Sequence, residues 1–247
     1  MLRSAVFALA LVAFTNAYTI TFDNKCSFTV WPAIGKAPNG VPDPSVAFGS
    51  QLDAGDSVAF NIDNSELGIR AWGRTGCNSA GANCATGNCN GGLVCTDAGI
   101  TSGVLLSEFG FANFGQFGGD QTSWDLSLVS ASLNINTRLS SSDGQSVTCV
   151  TGNCAPPNAF NGPNDFSADH NSVVGSDFVH TFCPQRGSQS FVNPLLERRF
   201  LPPSLSILLG NAQRLLPHRF HQTPWIIGDR MPRAIVYVHK VRKEAHH

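Results

Sequence analysis

The sequence predicts an all-β protein, a flattened β-sandwich or barrel whose loops are cross-linked by disulfides. Several short segments mix β-branched and aromatic residues with near alternation of apolar and polar positions, which is the pattern of half-buried strands. Clusters of Gly, Pro, Asn and Asp separate these segments, and no long stretch before residue 184 has helical spacing. Many short strands with frequent turns are typical of sandwiches and barrels.

The predicted strands follow one another at short intervals from residue 18 onward. The first two are rich in Thr, Phe and Ile, and those that follow carry Val, Phe, Ile, Leu and Trp, all residues that favour strands. Segment 35–44 is predicted as a loop because it contains prolines, glycines, Asn and Asp. In chain order the predicted strands are 18–22, 27–31, 57–62, 69–72, 104–109, 124–129, 132–135 and 177–182.

Residues 1–17 have the pattern of a signal peptide. Arg3 precedes an apolar run over 5–14, and Ala17 supplies the small residue expected at a cleavage site. The run is too short for a bilayer span, which needs about 20 apolar residues, so stable membrane insertion is not expected. A short membrane anchor is the alternative. Secretion implies an oxidising compartment, in which the 8 cysteines predict a disulfide framework.

The chain divides by charge and composition at Pro184. Residues 18–184 carry 5 Lys/Arg and 14 Asp/Glu, a net charge of −9, and contain every cysteine. Residues 185–247 carry 10 Lys/Arg and 3 Asp/Glu and are interrupted by prolines. We therefore expect one domain over 18–184 and a basic extension over 185–247 that is disordered or a gene-model artefact. A basic arm for polyanions or membrane surfaces is the alternative, whereas the acidic domain should repel nucleic acid.

Four of the cysteines lie in a Gly-rich segment that includes the sequences Arg-Ala-Trp-Gly-Arg-Thr-Gly-Cys (70–77) and Thr-Gly-Asn-Cys (86–89). Together with segments 24–32, 106–109, 124–129 and 182–184, these sequences resemble those of thaumatin-like proteins of the pathogenesis-related group 5 type. The interval from Cys154 to Cys183 is too short for the central disulfide-rich domain of full-length members. The chain therefore resembles the small subclass that lacks this domain, and the resemblance implies a monomer.

The resemblance implies a disulfide pairing and argues against a metal centre. It implies the pairs Cys26–Cys183, Cys77–Cys84 and Cys89–Cys95. It also leaves Cys149 and Cys154 to pair with each other, because their usual distant partners are missing. Eight cysteines permit 105 connectivities, so this pairing is a hypothesis. A zinc site at Cys84, Cys89 and Cys95 is the alternative, but secreted thiols oxidise and no histidine lies nearby. We expect no metal and no cofactor.

The resemblance also implies an acidic cleft lined by one Arg, one Glu and several Asp. Glu108 matches the Glu and Asp125 matches one Asp, whereas the next Asp position falls near Ser130 and the Arg position near Asn64. Nothing in the sequence selects among the candidates for the remaining acid, which are Asp165, Asp169 and Asp177.

Glu108 and Asp125 are the candidate catalytic pair for glycoside hydrolysis, which uses two carboxyl groups on either side of the scissile bond. Neighbouring strands lie about 4.8 Å apart, so adjacent strands would bring the two side chains together. Apolar neighbours at 105–106 and 109 predict that Glu108 keeps its proton as the general acid while Asp125 activates water. The alternative is that both are ordinary strand charges exposed to solvent.

Aromatic residues crowd the Gly-rich stretch that follows Glu108. An exposed subset would stack on sugar rings, and the candidates for substrate binding are Phe111, Phe114, Phe117 and Trp124. Core packing beside a tight turn is the alternative. Trp31 and Trp72 are predicted core residues, and Arg70 and Arg74 share a strand face with Trp72, which predicts a structural cation–π stack.

The predicted function is that of a secreted protein that binds β-1,3-glucan at cell walls. Some members of the family hydrolyse this polymer weakly, so the resemblance implies a weak endo-β-1,3-glucanase activity and an antifungal or defence role. The alternative is a non-catalytic interaction module, such as a glycoside-hydrolase inhibitor, which would not need Glu108 or Asp125.

Overall fold

The computed structural model describes residues 16–184, which form two packed β-sheets. Residues 1–15 of the predicted signal peptide 1–17 and the predicted extension 185–247 lie outside the described residues, while Ala17 begins β1. The strands are β1 (Ala17–Asn24), β2 (Trp31–Lys36), β3 (Asp43–Gly49), β4 (Ser57–Asp63), β5 (Ile69–Arg74), β6 (Leu106–Asn113), β7 (Asp120–Ser127), β8 (Thr137–Ser141), β9 (Ser146–Cys149), β10 (His170–Val173) and β11 (Phe178–Phe182). The all-β prediction is confirmed.

Helical structure in the described residues is limited to three short 3-10 turns, Pro38–Gly40, Gly115–Phe117 and Phe166–Ala168. Within residues 16–184, no helix is long and apolar enough to cross a membrane.

The first sheet has the strand order β4-β1-β11-β8-β9, and the second has the order β10-β7-β6-β5-β2-β3. Strands β1 and β11 pair in parallel, while every other pair in the two sheets is antiparallel. Strand β5 is buried at all of its positions because the first sheet covers one face and the cysteine-rich loops cover the other. The second sheet therefore has an outer face, directed away from the first sheet, that lies partly beneath loops.

The main core lies between the two sheets and is strongly aromatic. Tyr18, Ile20 and Phe22 alternate along β1 and are all buried. Across the sheets, the ring centroid of Phe178 lies 4.9 Å from that of Phe109 and 5.7 Å from that of Trp124. Rings of this size bury large apolar areas, so these contacts dominate the association of the sheets.

Several strand predictions fail where local pattern and tertiary pairing disagree. Segment 27–31 starts as a bend, forms an isolated bridge from Val30 to Leu52 and enters β2 only at Trp31. Segment 132–135 has only an isolated bridge at Ser132. Strand β3 begins inside the predicted loop 35–44 and contains Pro44, which is tolerated because β3 is an edge strand.

The sequence does not indicate strands β8, β9 and β10, because each is short and mainly polar. Pairing with neighbouring strands and the burial of Leu139, Val147 and Cys149 in the main core hold β8 and β9 in place.

All four implied disulfides are present: Cys26–Cys183, Cys77–Cys84, Cys89–Cys95 and Cys149–Cys154. The first joins the end of β1 to the residue after β11, so it closes nearly the whole domain into one loop. The alternative of a zinc site is wrong, because its cysteines are oxidised. Cys89, Cys95 and Asp97 do approach one another, but two of the three candidate ligands share a disulfide bond.

Arg74 holds the cysteine-rich loops against the end of β5. Its guanidinium is fully buried and donates hydrogen bonds to the carbonyl oxygens of Trp31 (3.0 Å), Gly81 (3.0 Å), Gly92 (2.6 Å) and Leu93 (2.8 Å). Burial lowers the pKa of Arg74 to about 10. The structural role predicted for this arginine is correct, but it depends on carbonyl groups and not on a stack with Trp72.

Trp72 is buried on the same outer face, as predicted, and the loops cover it. Its indole Nε1 donates a 3.1 Å hydrogen bond to the carbonyl oxygen of Gly87. A Cβ atom at Gly99 would lie only 2.8 Å from the indole ring, so the loop approaches Trp72 as closely as a bare backbone permits. Trp31, the other tryptophan predicted in the core, is only half-buried.

Replacing Arg74 with Ala is expected to destabilise the protein strongly. The substitution leaves several buried carbonyl groups without donors, and disrupting a buried, hydrogen-bonded charge costs about 3–5 kcal/mol. Urea unfolding followed by tryptophan fluorescence measures the loss. The matched control is Arg138→Ala, because Arg138 is exposed, and such a change should stay within about 0.5 kcal/mol. Equal losses in the two variants would contradict this role for Arg74.

His180 is expected to make the protein less stable in acid. Its ring is buried among Phe22 and Phe182, its Nδ1 lies 3.0 Å from the Ser107 hydroxyl, and burial lowers its pKa to about 3. Between the ordinary pKa of about 6.5 and this value, only the unfolded chain takes up the proton. The free energy of unfolding should therefore fall by up to about 1.4 kcal/mol per pH unit as the pH drops through this window.

The measurement is urea unfolding at several pH values, with His180→Leu as the comparison. Other titrating groups contribute to both proteins, so the difference between the two curves isolates His180. Parallel curves between pH 6.5 and pH 3 would show that His180 is not the cause.

Candidate functional site

A row of charged side chains crosses the outer face of the second sheet. In the strand register, Arg70 of β5 lies opposite Glu108 of β6, and Glu108 lies opposite Asp125 of β7. Arg70 Nε is 3.4 Å from Glu108 Oε1, which forms an ion pair. The neighbouring residues Ile69, Phe109 and Trp124 point into the core, so the charged row occupies the opposite face. The expectation that adjacent strands bring Glu108 and Asp125 together is confirmed.

A second aspartate joins this row through Ser123. Ser123 shares a strand face with Asp125, and its hydroxyl donates a 2.7 Å hydrogen bond to Asp169 Oδ1. Asp169 lies between the 3-10 turn Phe166–Ala168 and strand β10. We call Arg70, Glu108, Ser123, Asp125 and Asp169 the outer-face cluster.

The structure selects Asp169 from the three aspartates that the sequence left open. Asp165 instead accepts hydrogen bonds from the backbone N–H groups of Asn161 and Gly162. Asp177 accepts a 2.7 Å hydrogen bond from the backbone N–H of Thr19, in the first sheet. Only Asp169 is linked by a hydrogen bond to the strand that carries Asp125.

Asp125 is the most strongly perturbed acid of the outer-face cluster. It is only 7% exposed, and its Oδ1 atom has no hydrogen-bond partner. Burial raises the pKa of Asp125 well above its ordinary value, and the nearby charges of Glu108 and Asp169 raise it further. Burial also raises the pKa of Asp169. Asp125 therefore keeps its proton to a higher pH than an ordinary aspartate.

The burial of the two carboxyl groups is the reverse of what the sequence predicted. The expectation that Glu108 is the carboxyl group in an apolar setting is wrong, because its side chain is 19% exposed and lies beside Arg70. The buried group is Asp125. The error arises because sequence neighbours along a strand alternate between faces, so the apolar residues beside Glu108 pack into the core on the other side.

Arg70 is the site residue that sequence reasoning missed. The cleft arginine was expected near Asn64, which lies just after β4. The available signal was the sequence Arg-Ala-Trp-Gly-Arg, in which Arg70 and Trp72 share one face of a strand. What the sequence lacked was the pairing of β5 with β6, which brings Arg70 opposite Glu108.

The predicted aromatic groove is not assembled around the outer-face cluster. Trp124 is fully buried, donates a 2.8 Å hydrogen bond to the Ser172 hydroxyl and stacks on His170, so its predicted sugar-binding role is wrong. Phe111 is half-buried. It lies three positions after Glu108 in β6, so the two side chains are on opposite faces of the strand. Phe114 is half-buried and precedes the 3-10 turn Gly115–Phe117. The side chain of Phe117 lies outside the described part of the structure.

Phe166 is an exposed aromatic residue that the sequence did not single out. It begins the 3-10 turn that leads to Asp169, and it is 59% exposed. It lies three residues before Asp169 of the outer-face cluster. Its position could not be inferred earlier because nothing local indicates that the turn contacts β7.

Known proteins with similar sequences cover most of this chain. A family model described as the Thaumatin family matches residues 24–185. A thaumatin-like protein of Oryza sativa subsp. japonica is 36% identical over 73% of this chain and 96% of its own length. Thaumatin-like pathogenesis-related protein 2 of Avena sativa is 36% identical over 73% of this chain and 98% of its own length.

Among solved structures, the thaumatin-like xylanase inhibitor TLXI is 26% identical, with a TM-score of 0.47, over 67% of this chain and 99% of that one. The family model covers more than half of the sequence, and the two relatives exceed 30% identity over nearly their full lengths. The chain belongs to the thaumatin family.

Proposed function

We propose that the protein is secreted and binds β-1,3-glucan at cell walls through the outer-face cluster, in an antifungal or defence role. The observation that carries the proposal is the asymmetric carboxyl pair, in which buried Asp125 has a raised pKa beside Glu108 paired with Arg70. A leader-like sequence, four disulfides and relatives named as pathogenesis-related proteins support secretion and defence.

The outer-face cluster offers the mixture of donors and acceptors that a neutral sugar requires. A sugar hydroxyl both donates and accepts, so it is best bound by a group of each kind. Protonated Asp125 presents an O–H donor, as buried carboxylic acids do elsewhere, while Glu108 accepts and Arg70 donates. The net charge of −9 over residues 18–184 disfavours acidic polysaccharides and nucleic acids, which leaves neutral glycans as ligands.

The same pair would support slow hydrolysis as a secondary activity. Residues directly opposite on antiparallel strands have Cβ atoms about 4.5–5.5 Å apart. Retaining glycosidases separate their carboxyl groups by about 5–5.5 Å, whereas inverting enzymes need about 6.5–9.5 Å to admit water. Any hydrolysis at Glu108 and Asp125 should therefore retain the anomeric configuration. Because Asp125 is only 7% exposed, binding is the primary activity of the proposal.

Replacing Glu108 with Gln should abolish or strongly weaken binding to insoluble β-1,3-glucan. The change removes the negative acceptor and leaves buried Arg70 without its ion-pair partner, so we expect at least a tenfold loss of affinity. The measurement is co-sedimentation with the polymer, together with release of reducing sugar. Asp56→Asn is the matched control, because it makes the same chemical change at an exposed position beside the first sheet.

Each outcome of this assay has a defined meaning. Pelleting by the natural protein and by Asp56→Asn, but not by Glu108→Gln, supports the proposal. Sugar release that disappears in Glu108→Gln would make the protein a glucanase. Absence of pelleting by the natural protein would overturn the glucan proposal, and inhibition of an added glycoside hydrolase would then favour the inhibitor alternative.

Replacing Asp125 with Asn should stabilise the protein and preserve glucan binding. In the folded state the pKa of Asp125 is raised, so its contribution to stability is present below the unfolded pKa of about 3.9 and is lost as the pH rises. The urea midpoint of Asp125→Asn should exceed that of the natural protein at pH 7, and the gain should vanish below about pH 3.9. Asn still donates from the same position, so pelleting should persist.

Asp125→Leu is the discriminating variant for this prediction. It removes the donor together with the buried charge, so it should gain stability at pH 7 and lose binding. If Asp125→Asn is destabilised at pH 7, or if Asp125→Leu binds normally, the assignment of Asp125 as a protonated donor is wrong.

A further inference from the structure

Strand β4 lies at an edge of the first sheet and lacks the usual protection of edge strands. Natural proteins shield such edges with short strands, prolines, lysines or bulges, because the unpaired backbone groups otherwise recruit further strands. Strand β4 extends over seven residues, Ser57–Asp63, pairs with β1 in one unbroken register and contains neither proline nor lysine. Its outer side is therefore open to pairing.

The other edge strands of the two sheets are each protected. Strand β3 contains Pro44, and its pairing with β2 is interrupted by a register shift between Gly35 and Lys36. Strands β9 and β10, the remaining edges, have only four residues each. Among residues 16–184, β4 is thus the edge at which another strand can add.

The pairing of β4 with β1 shows which backbone groups of β4 are already bonded. The N–H of Asn24 donates to the carbonyl oxygen of Asp56 (3.0 Å), and the N–H of Asn64 donates to that of Asn16 (2.9 Å). Both pairs continue the register of β1 and β4, in which hydrogen-bonded pairs alternate with unbonded ones. The residues of β4 that bond to β1 are therefore the even-numbered ones.

The odd-numbered residues direct their N–H and C=O groups away from β1, toward the open edge. Those with both groups unpaired are Ser57, Ala59 and Asn61, and all three are exposed. Within the described residues, no hydrogen bond reaches these backbone groups. An added strand would pair with them as β1 pairs with the even-numbered residues.

The charges at the two ends of β4 favour a basic partner. Asp53, in the preceding turn, and Asp63, the last residue of the strand, are both exposed. Hydrogen bonds from Ser65 lower the pKa of Asp63, which keeps it ionised. A second copy of the chain, paired about a two-fold axis, would bring these acidic ends together at a net charge of −9 over residues 18–184 of each copy. A strand with basic ends would instead be attracted.

The inward side chains of β4 favour a partner with apolar residues at alternate positions. Val58 and Phe60 pack against the main core but stay partly exposed, and the Phe60 ring stacks on Phe48 with centroids 5.0 Å apart. Side chains of paired strands meet on the same face, so apolar residues of an added strand would cover Val58 and Phe60.

We propose that the edge of β4 binds an extended segment of a partner protein, with alternating apolar residues and basic ends, as an additional strand of the first sheet. In this mode of recognition, backbone hydrogen bonds supply the affinity, and alternate side chains supply the selectivity. The outer-face cluster lies on the second sheet, so this inference does not depend on the proposed function.

The test follows the backbone amide signals of the nitrogen-15-labelled full chain by NMR while the peptide Lys-Val-Thr-Val-Thr-Val-Thr-Lys is added. The signals of Ser57, Ala59 and Asn61 should shift with peptide concentration, and the dissociation constant follows from the curve. The same peptide with Glu at both ends should bind more weakly by about fivefold. The peptide with every backbone nitrogen methylated should not bind, because it cannot donate to the carbonyl groups of β4.

Two variants test the edge itself. Ala59→Pro removes the central donor and should abolish binding, while the fold is kept because this N–H makes no bond to β1. Asp63→Lys should weaken binding by about fivefold, because it reverses the charge at one end of β4. Asp143→Lys is the matched control, since it makes the same change at an exposed turn between β8 and β9, and it should bind normally.

Three outcomes would overturn the proposal. The first is that the signals of β4 do not move when the peptide is added, or that Asp63→Lys and Asp143→Lys bind it equally well. The second is normal binding by a correctly folded Ala59→Pro chain, which would place the contact elsewhere. The third is a shift of the same signals with protein concentration alone, which would show that a second copy occupies the edge.

Discussion

The buried guanidinium of Arg74 is the interaction on which the outer half of the structure depends. A charge removed from water must be compensated, and here backbone carbonyl groups from β2 and from two turns of the cysteine-rich segment supply the partners. The same loops cover Trp72 and bring Ala98 against Gly35. The local disulfides close each turn, and Arg74 together with the indole of Trp72 attaches those turns to the sheet. The loops therefore bound the outer face on which the charged row lies.

Burial has opposite effects on stability at Arg74 and Asp125, which lie in the same sheet. Arg74 is completely buried, yet its donors have partners, so it stabilises the fold. Asp125 is nearly as buried, but one carboxylate oxygen has no partner and two acidic neighbours oppose its ionisation. A group that lowers stability in this way persists when function requires it. This contrast supports a structural role for Arg74 and the functional role that we propose for Asp125.

The parts of the fold that could be predicted are those with a strong local signal. The alternation in 18–22 identified β1, and segments 57–62, 69–72 and 177–182 identified β4, β5 and β11 within two residues. Strand β3 could not be identified, because Pro44 and the polar residues at its start indicate a loop, and only pairing with β2 makes it a strand. For the same reason Trp124 was assigned to a surface groove, since a short aromatic segment does not indicate which of its residues face the core.

By itself, the sequence determined the all-β class, the family resemblance and the cysteine pairing implied by it, and the carboxyl pair of Glu108 and Asp125. The strand pattern is enough for the class, whereas the cysteine pairing and the carboxyl pair follow from the family resemblance. Only the tertiary structure decided that Arg70 and Asp169 join that pair, and that Asp125 and not Glu108 is the buried acid. These properties depend on strand register and on which loops cover which face, and both arise from contacts between residues far apart in the chain.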